Sequence, residues 1–331
     1  MKRLPVTLLT GFLGSGKTTL LAQLLAAPEL ADTVVIINEF GEVSIDHLVV
    51  AQLAESIVEL RNGCLCCTIR GDLALTIHDL LYKRALGEVP AFRRIVIETS
   101  GLADPVPLAH TLMVTPALVS TVRLEEIVSV VDAVNAPATL RDHATAADQV
   151  ALADVLVISK TDLATTAELA ATRALIAAIN PAAECLEAIQ GAAPASRLVG
   201  QPRFNPDQRA AQLGDWLSRH ADHAHPQGHD HALQYQSHVC RHAGPLSLAG
   251  TSVFLNRVVN ELGSQILRIK GIAEFVSKPG QPALIHAVQN KFYPLQWLEA
   301  WPDPDHSSRI VFIGRALDTQ RIEERFIALC L

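Results

Sequence analysis

The chain has 331 residues, 49% of them hydrophobic, which is long enough for two domains with separate cores. With 27 Lys and Arg against 34 Asp and Glu, the net charge is −7 and no basic run occurs, which argues against nucleic acid as the main partner. No apolar run reaches the ~18 residues of a membrane span, and six cysteines in a chain of this size do not make a disulfide scaffold.

The first element is an apolar, β-branched run, Leu4 to Thr10, which reads as a buried strand. Leu4 to Leu13 could imitate a signal-peptide core. It is interrupted by Thr and Gly, lacks a clear cleavage site and runs into Gly11-Phe12-Leu13-Gly14-Ser15-Gly16-Lys17-Thr18, so the chain is read as cytoplasmic. That segment fits G-x-x-x-x-G-K-[ST] at every fixed position, and helix-forming residues follow from Lys17 to Ala27. Strand, glycine loop and helix in this order form a phosphate cradle. Glycines let backbone N–H groups turn inward around phosphate oxygens, and the helix N-terminus adds partial positive charge. Lys17 is expected to reach the β- and γ-phosphates and the Thr18 hydroxyl to ligate Mg²⁺.

Val34 to Asn38 is the second strand candidate, followed by Asn38-Glu39-Phe40-Gly41-Glu42, Asp46 and His47. A polar loop here would lie across the phosphate edge of the sheet. Glu39, Glu42 and Asp46 are candidates for Mg²⁺ or transition-state contacts, against the alternative of a solvated acidic loop. Ser56 to Leu60 is a third strand. The turn signal Arg61-Asn62-Gly63 then introduces Cys64-Leu65-Cys66-Cys67. Three thiols within four residues can converge on one tetrahedral ion, and Zn²⁺, Co²⁺ or Cu⁺ would accept them. No fourth ligand lies nearby in sequence, which suits an ion that is handed on. The alternatives are inert buried thiols or a redox pair, although C-x-C-C does not match C-x-x-C.

A helix over Arg70 to Leu86 leads to the strand Arg94 to Thr99, with Glu98 near its end and Gly101 just beyond. A carboxylate there can hold Mg²⁺ through water or orient the hydrolytic water, and the Gly101 N–H can touch the γ-phosphate. The plainer reading is a strand followed by a helix cap at Ser100 or Asp104. After a helix at Asp104 to Met113 and a strand at Ile127 to Asp132, the strand Val155 to Ser159 runs into Ser159-Lys160-Thr161-Asp162. An aspartate at this place can accept hydrogen bonds from guanine N1–H and N2–H₂, each contributing about 1.5–3 kcal/mol, with Lys160 along the base. A further helix spans Thr166 to Ile179. Val/Ile runs separated by helices imply an α/β domain over residues 1–190, its mostly parallel sheet covered on both faces.

Residues 191–236 are rich in Pro, Gln, Gly, Ala and His, a linker signature. Seven of the 13 histidines fall between His220 and His242. They could recruit metal, since imidazole suits Zn, Ni and Co, or belong to a solvated linker. Residues 237–331 read as a smaller α+β domain: a strand, a helix (Leu248 to Leu262), strands at Ile266 to Phe275, Ala283 to Lys291 and Arg309 to Gly314, and a helix at Asp318 to Leu329.

GFLGSGKTT, NEFGEVSIDH, NGCLCC, ETSGLADP and SKTD, in that order, resemble the CobW family of P-loop GTPases, in particular its zinc-regulated GTPase metalloprotein activator branch. ILRIKGI and SSRIVFIGRAL are similar to that family's C-terminal domain. The resemblance implies GTP hydrolysis, zinc held by Cys64, Cys66 and Cys67, and delivery of the ion to a client metalloenzyme. It also implies phosphate and Mg²⁺ contacts from Gly14, Ser15, Gly16, Lys17, Thr18 and Thr19, an acidic strand end at Glu98 and Gly101, and guanine reading by Lys160 and Asp162. Ser159 stands where many GTPases carry Asn, and its shorter hydroxyl is expected to brace the loop less. Two other readings stay open: a P-loop small-molecule kinase or ATPase with a structural zinc, and a non-catalytic zinc buffer or sensor.

Overall fold

A computed structural model describes residues 3–38, 57–59, 68–181, 183–198, 235–302 and 304–331. The chain folds as two compact units, Met1–Ala174 with Glu184–Gln201, and Leu175–Ala183 with Pro202–Leu331.

The first unit is built on seven strands: β1 (Leu4–Gly11), β2 (Thr33–Asn38), β3 (Ile57–Glu59), β4 (Arg94–Thr99), β5 (Val122–Asp132), β6 (Val155–Ser159) and β7 (Glu184–Glu187). They form one sheet in the order β3-β2-β4-β1-β5-β6-β7, and every pairing is parallel. Parallel strands need crossovers, supplied here by helices α1 (Lys17–Leu25), α2 (Thr68–Leu86), α3 (Val106–Val114), α4 (Pro116–Val119), α5 (Ala136–Asp142), α6 (Ala144–Leu152) and α7 (Thr166–Ile179), with the short α8 (Ala195–Leu198) after β7. Helices cover the middle of the sheet, which explains why β6 reads as an unbroken apolar run with all five residues buried, whereas β7 at the edge alternates between half-buried and exposed residues. The chain leaves central β1 for β2 on one side and later returns to β5 on the other. That reversal opens a crevice at the carboxyl ends of β1, β4, β5 and β6, the usual ligand position in such sheets.

β5 begins five residues before the expected strand Ile127 to Asp132. Arg123, Glu125 and Glu126 hide the strand pattern. Both carboxylates are nevertheless buried, and Glu125 accepts from Arg123 at 2.7 Å. The register against β1 slips between Val6 and Thr7, so Val6 faces Leu124 while Thr7 faces Glu126. This bulge absorbs the extra residue.

The second unit carries an antiparallel sheet in the order β11-β10-β9-β13-β8, with β12 on β10. Its elements are β8 (Tyr235–His242), α9 (Leu248–Leu262), β9 (Ile266–Ala273), β10 (Ala283–Val288), β11 (Lys291–Phe292), β12 (Gln296–Trp297), β13 (Ser308–Arg315) and α10 (Thr319–Cys330). The helices start where side chains cap them: Ser247 accepts from Gly250 N–H at 3.1 Å and Asp318 from Arg321 N–H at 3.0 Å. Phe254 of α9 meets Phe312 of β13 and Phe326 of α10 edge-on at 5.8 and 5.5 Å. Burying each ring contributes about 1.5–3 kcal/mol, and the trio fixes both helices on one face of the sheet. The expected α/β domain with a smaller α+β domain is the architecture found.

Candidate functional site

The phosphate loop begins where β1 ends. Gly11 has φ 140° there, and a Cβ on it would meet Val130 O at 2.4 Å, so only glycine allows the loop to leave the sheet beside β5. Ser15 N–H donates to Phe12 O at 3.1 Å, closing the turn. Gly16 precedes α1 with φ 92°, and no side chain caps that helix among the described residues. Its first-turn N–H groups therefore point into the loop, which suits an anion. Lys17 is buried and its Nζ donates to Phe12 O at 3.2 Å, folded back over the cradle.

The neighbouring strand supplies the acid. Leu9 of β1 pairs with Glu98 of β4, so Glu98 and the start of α1 share one edge. Thr18 Oγ1 donates to Glu98 Oε1 at 2.9 Å, although the two residues are 80 apart in sequence. Gly101 packs directly on the loop: a Cβ there would stand 2.7 Å from Leu13 N and 2.8 Å from Leu13 Cα. The segment after β4 is held from behind by Gln149 of α6. Its buried amide donates to Gly101 O at 3.3 Å and to Ala103 O at 3.1 Å. Asp104 accepts from Val106 N–H at 2.9 Å, so the helix cap expected at this place forms beside the acid.

The end of β6 ties the loop from the other side. The Ser159 hydroxyl donates to Ser15 O at 2.6 Å and approaches Val131 O at 3.3 Å. The strand thus brings Ser159 close enough for a short side chain to reach the loop. Lys160, at φ 56°, donates from Nζ to Gly14 O at 2.8 Å and to Asp132 Oδ2 at 2.7 Å. Burial pushes the Asp132 carboxyl upward, but the Lys160 ammonium, the Asn135 amide and the N–H groups of Val134 and Asn135 outweigh it and hold the group below the usual carboxylate range. Asp162 is exposed. Thr161 Oγ1 donates to Ala188 O at 3.3 Å, and Gly191 lies against Thr19, where a Cβ would meet Thr19 O at 2.8 Å. The segment after β7 thus forms a second wall.

Sequence reasoning assigns no role to Asp132, Gln149 or the Ala188–Gly191 segment. Asp132 carries a usable signal, since it ends an apolar strand much as Glu98 nears the end of its own. Gln149 has none, because its partners lie more than 40 residues away. Glu39, Asp46, Cys64, Cys66 and Cys67 lie outside the described residues, as do His220 to His231. His238 and His242 of that run fall on β8.

Residues 5–187 match the family described as "CobW/HypB/UreG, nucleotide-binding domain", and residues 235–330 match the "Cobalamin synthesis protein cobW C-terminal domain". The chain belongs to the CobW/HypB/UreG family. The first match takes in the parallel sheet apart from Leu4, and the second runs from β8 to the end of α10. Among relatives, the zinc chaperone YjiA of Escherichia coli (strain K12) is 33% identical, with 99% of each chain covered. The zinc-regulated GTPase metalloprotein activator 1 of Schizosaccharomyces pombe is 38% identical over 39% of this chain and 31% of that protein. A crystal structure of zinc-bound YjiA GTPase from E. coli superposes with a TM-score of 0.75 at 28% identity, covering 99% of both chains. No helix among the described residues is long and apolar enough to cross a membrane.

Proposed function

We propose that this CobW-family chain is a GTPase that holds zinc on Cys64, Cys66 and Cys67 and releases it to a client metalloenzyme in step with hydrolysis. The zinc chaperones and zinc-regulated GTPases among its relatives support this reading. The observation that carries it is the convergence of Thr18, Glu98 and Gly101 on one face of the phosphate loop. A γ-phosphate seated there touches the chain segment that changes its contacts when the phosphate leaves.

The residues divide the work. Backbone N–H groups of Gly14 to Thr18 and the Lys17 ammonium cradle the phosphates. Thr18 and Glu98 present hard oxygens 2.9 Å apart and would hold Mg²⁺, which neutralises charge on the phosphates when bound. Glu98 also orients water. That water adds to the γ-phosphorus, the bond to the β–γ bridging oxygen breaks, and GDP and phosphate result. Asp162 accepts from guanine N1–H and N2–H₂, while Lys160 holds the corner by its bonds to Gly14 and Asp132. Glu39 and Asp46 are proposed to contact Mg²⁺ or the transition state. The cysteines lie within residues 60–67, which join the carboxyl end of β3 to α2, and β3 runs parallel to β1 in the same sheet. Loss of the γ-phosphate contacts loosens this rim, and the ion passes on. Cobalt or nickel are alternative cargo.

The test is zinc affinity measured with a non-hydrolysable GTP analogue, with GDP and without nucleotide. Affinity is expected to differ at least tenfold between the first two. Equal affinities in all three states would remove the coupling. Asp162→Asn is expected to shift preference from guanine toward xanthine nucleotides; ATP hydrolysed best by the parent and unaffected by the change would favour the kinase reading.

A further inference from the structure

β8 is an edge strand of the second sheet, bonded only to β13 among the described strands. His238 and Cys240 are two residues apart on it, so their side chains leave the same face. That face meets α10, which carries Glu323. His238 Nε2 lies 2.9 Å from Glu323 Oε2. One ligand atom from each of His238, Cys240 and Glu323 lies within 4.8 Å of the other two. Zinc bonds of ~2.0–2.3 Å place tetrahedral ligands about 3.3–3.8 Å apart, so rotamer adjustments of about 1 Å would close the three onto one ion.

The surroundings are asymmetric. Cys240 is fully buried, packed in the core that includes Ile322, Phe326 and Cys330. The side chains of His238 and Glu323 keep 19% and 39% of their surface accessible. The cluster is closed from below and open at the sheet edge. A Glu on the surface of an amphipathic helix ordinarily turns to water, yet Glu323 turns toward the imidazole and the thiol. We infer that His238, Cys240 and Glu323 form a second metal site, independent of the Cys64–Cys67 motif and of the nucleotide reading, taking a zinc-like divalent ion. Three protein ligands of mixed nitrogen, sulfur and oxygen with a solvent-facing fourth position describe an exchangeable site, whereas structural zinc sites use four protein ligands. Binding transfers the Cys240 thiol proton to solvent and leaves a thiolate–metal bond. Cys330 is not one of the three.

The experiment uses the full-length chain with Cys64, Cys66 and Cys67 all changed to Ser, titrated with Co²⁺ alone. About one equivalent is expected to bind with a thiolate-to-cobalt charge-transfer band in the near ultraviolet. Histidines elsewhere cannot give that band, because they bring no sulfur. Cys240→Ser should abolish it. Because Cys240 is a core position, His238→Gln and Glu323→Gln serve as the second arm. Both are partly exposed, and each should weaken cobalt binding at least tenfold while circular dichroism stays that of the parent. Absence of the band in the triple variant would overturn the inference. So would a band of unchanged affinity in His238→Gln and Glu323→Gln, or one that disappears with Cys330→Ser or Cys185→Ser and survives Cys240→Ser.

Discussion

Gly101→Ala adds one methyl group at the point where the segment after β4 meets the phosphate loop. The added carbon would stand 2.7 Å from Leu13 N and 2.8 Å from both Leu13 Cα and Cδ2. The Leu13 side chain is exposed and can swing away, but the backbone atoms cannot. To regain the 3.4 Å of ordinary contact, loop and segment must separate by about 0.7 Å. Gly101 is not in the left-handed region, so backbone strain adds nothing and the effect is steric. Overpacking of this kind costs about 1–3 kcal/mol. Misplacement of a catalytic loop by ~1 Å costs about 100-fold in rate, so a fall in kcat of about 10- to 100-fold is expected. GDP affinity should change far less, because Lys17 and the helix N-terminus are untouched. The assay is steady-state phosphate release from GTP, alongside fluorescent GDP binding and thermal unfolding. Turnover within twofold of the parent at an unchanged melting temperature would refute the claim that this contact positions the γ-phosphate end of the site.

Ser159→Ala removes the 2.6 Å bond to Ser15 O in a buried corner. It should cost about 1 kcal/mol in denaturant unfolding and weaken nucleotide binding; no change in either would show that the hydroxyl does not brace the loop. Lys160→Met removes the partner of Asp132, whose carboxyl is held below its ordinary value in the folded chain. A depressed carboxylate stabilises the fold above its unfolded value, near 3.8, and that stabilisation disappears as pH falls through the folded value. The difference in unfolding free energy between parent and variant should therefore be largest at neutral pH and narrow in acid to what the lost bond to Gly14 O contributes, measured by denaturant titration across that range. Gly250→Ala would place a Cβ 1.8 Å from Leu329 O, forcing α9 from α10. A loss of about 1–3 kcal/mol in the antiparallel unit is expected, and an unaltered unfolding midpoint would contradict that packing.

How much is legible in the sequence follows from the range of each interaction. The strands Arg94–Thr99 and Val155–Ser159 and the helices Thr166–Ile179 and Leu248–Leu262 coincide with their sequence signals, because burial pattern and backbone preference act over a few residues. The segment Val122–Glu126 escapes such reading because two buried carboxylates and a bulge disguise a strand whose environment is set by β1. The short helices over 136–152 offer too few periods to stand out.

What the sequence alone determined is the phosphate cradle itself, since glycines, lysine and threonine at fixed offsets dictate the local backbone and its donors. Tertiary structure decided what surrounds it. β4 enters between β1 and β2, so Glu98 meets Thr18; β5 and β6 align, so Lys160 finds Asp132 and Gly14; β8 and α10 pack, so His238 and Cys240 face Glu323. Those partners are 28 to 146 residues apart. No short-range preference encodes such meetings, which depend on the order in which strands join a sheet and on the helix that covers it.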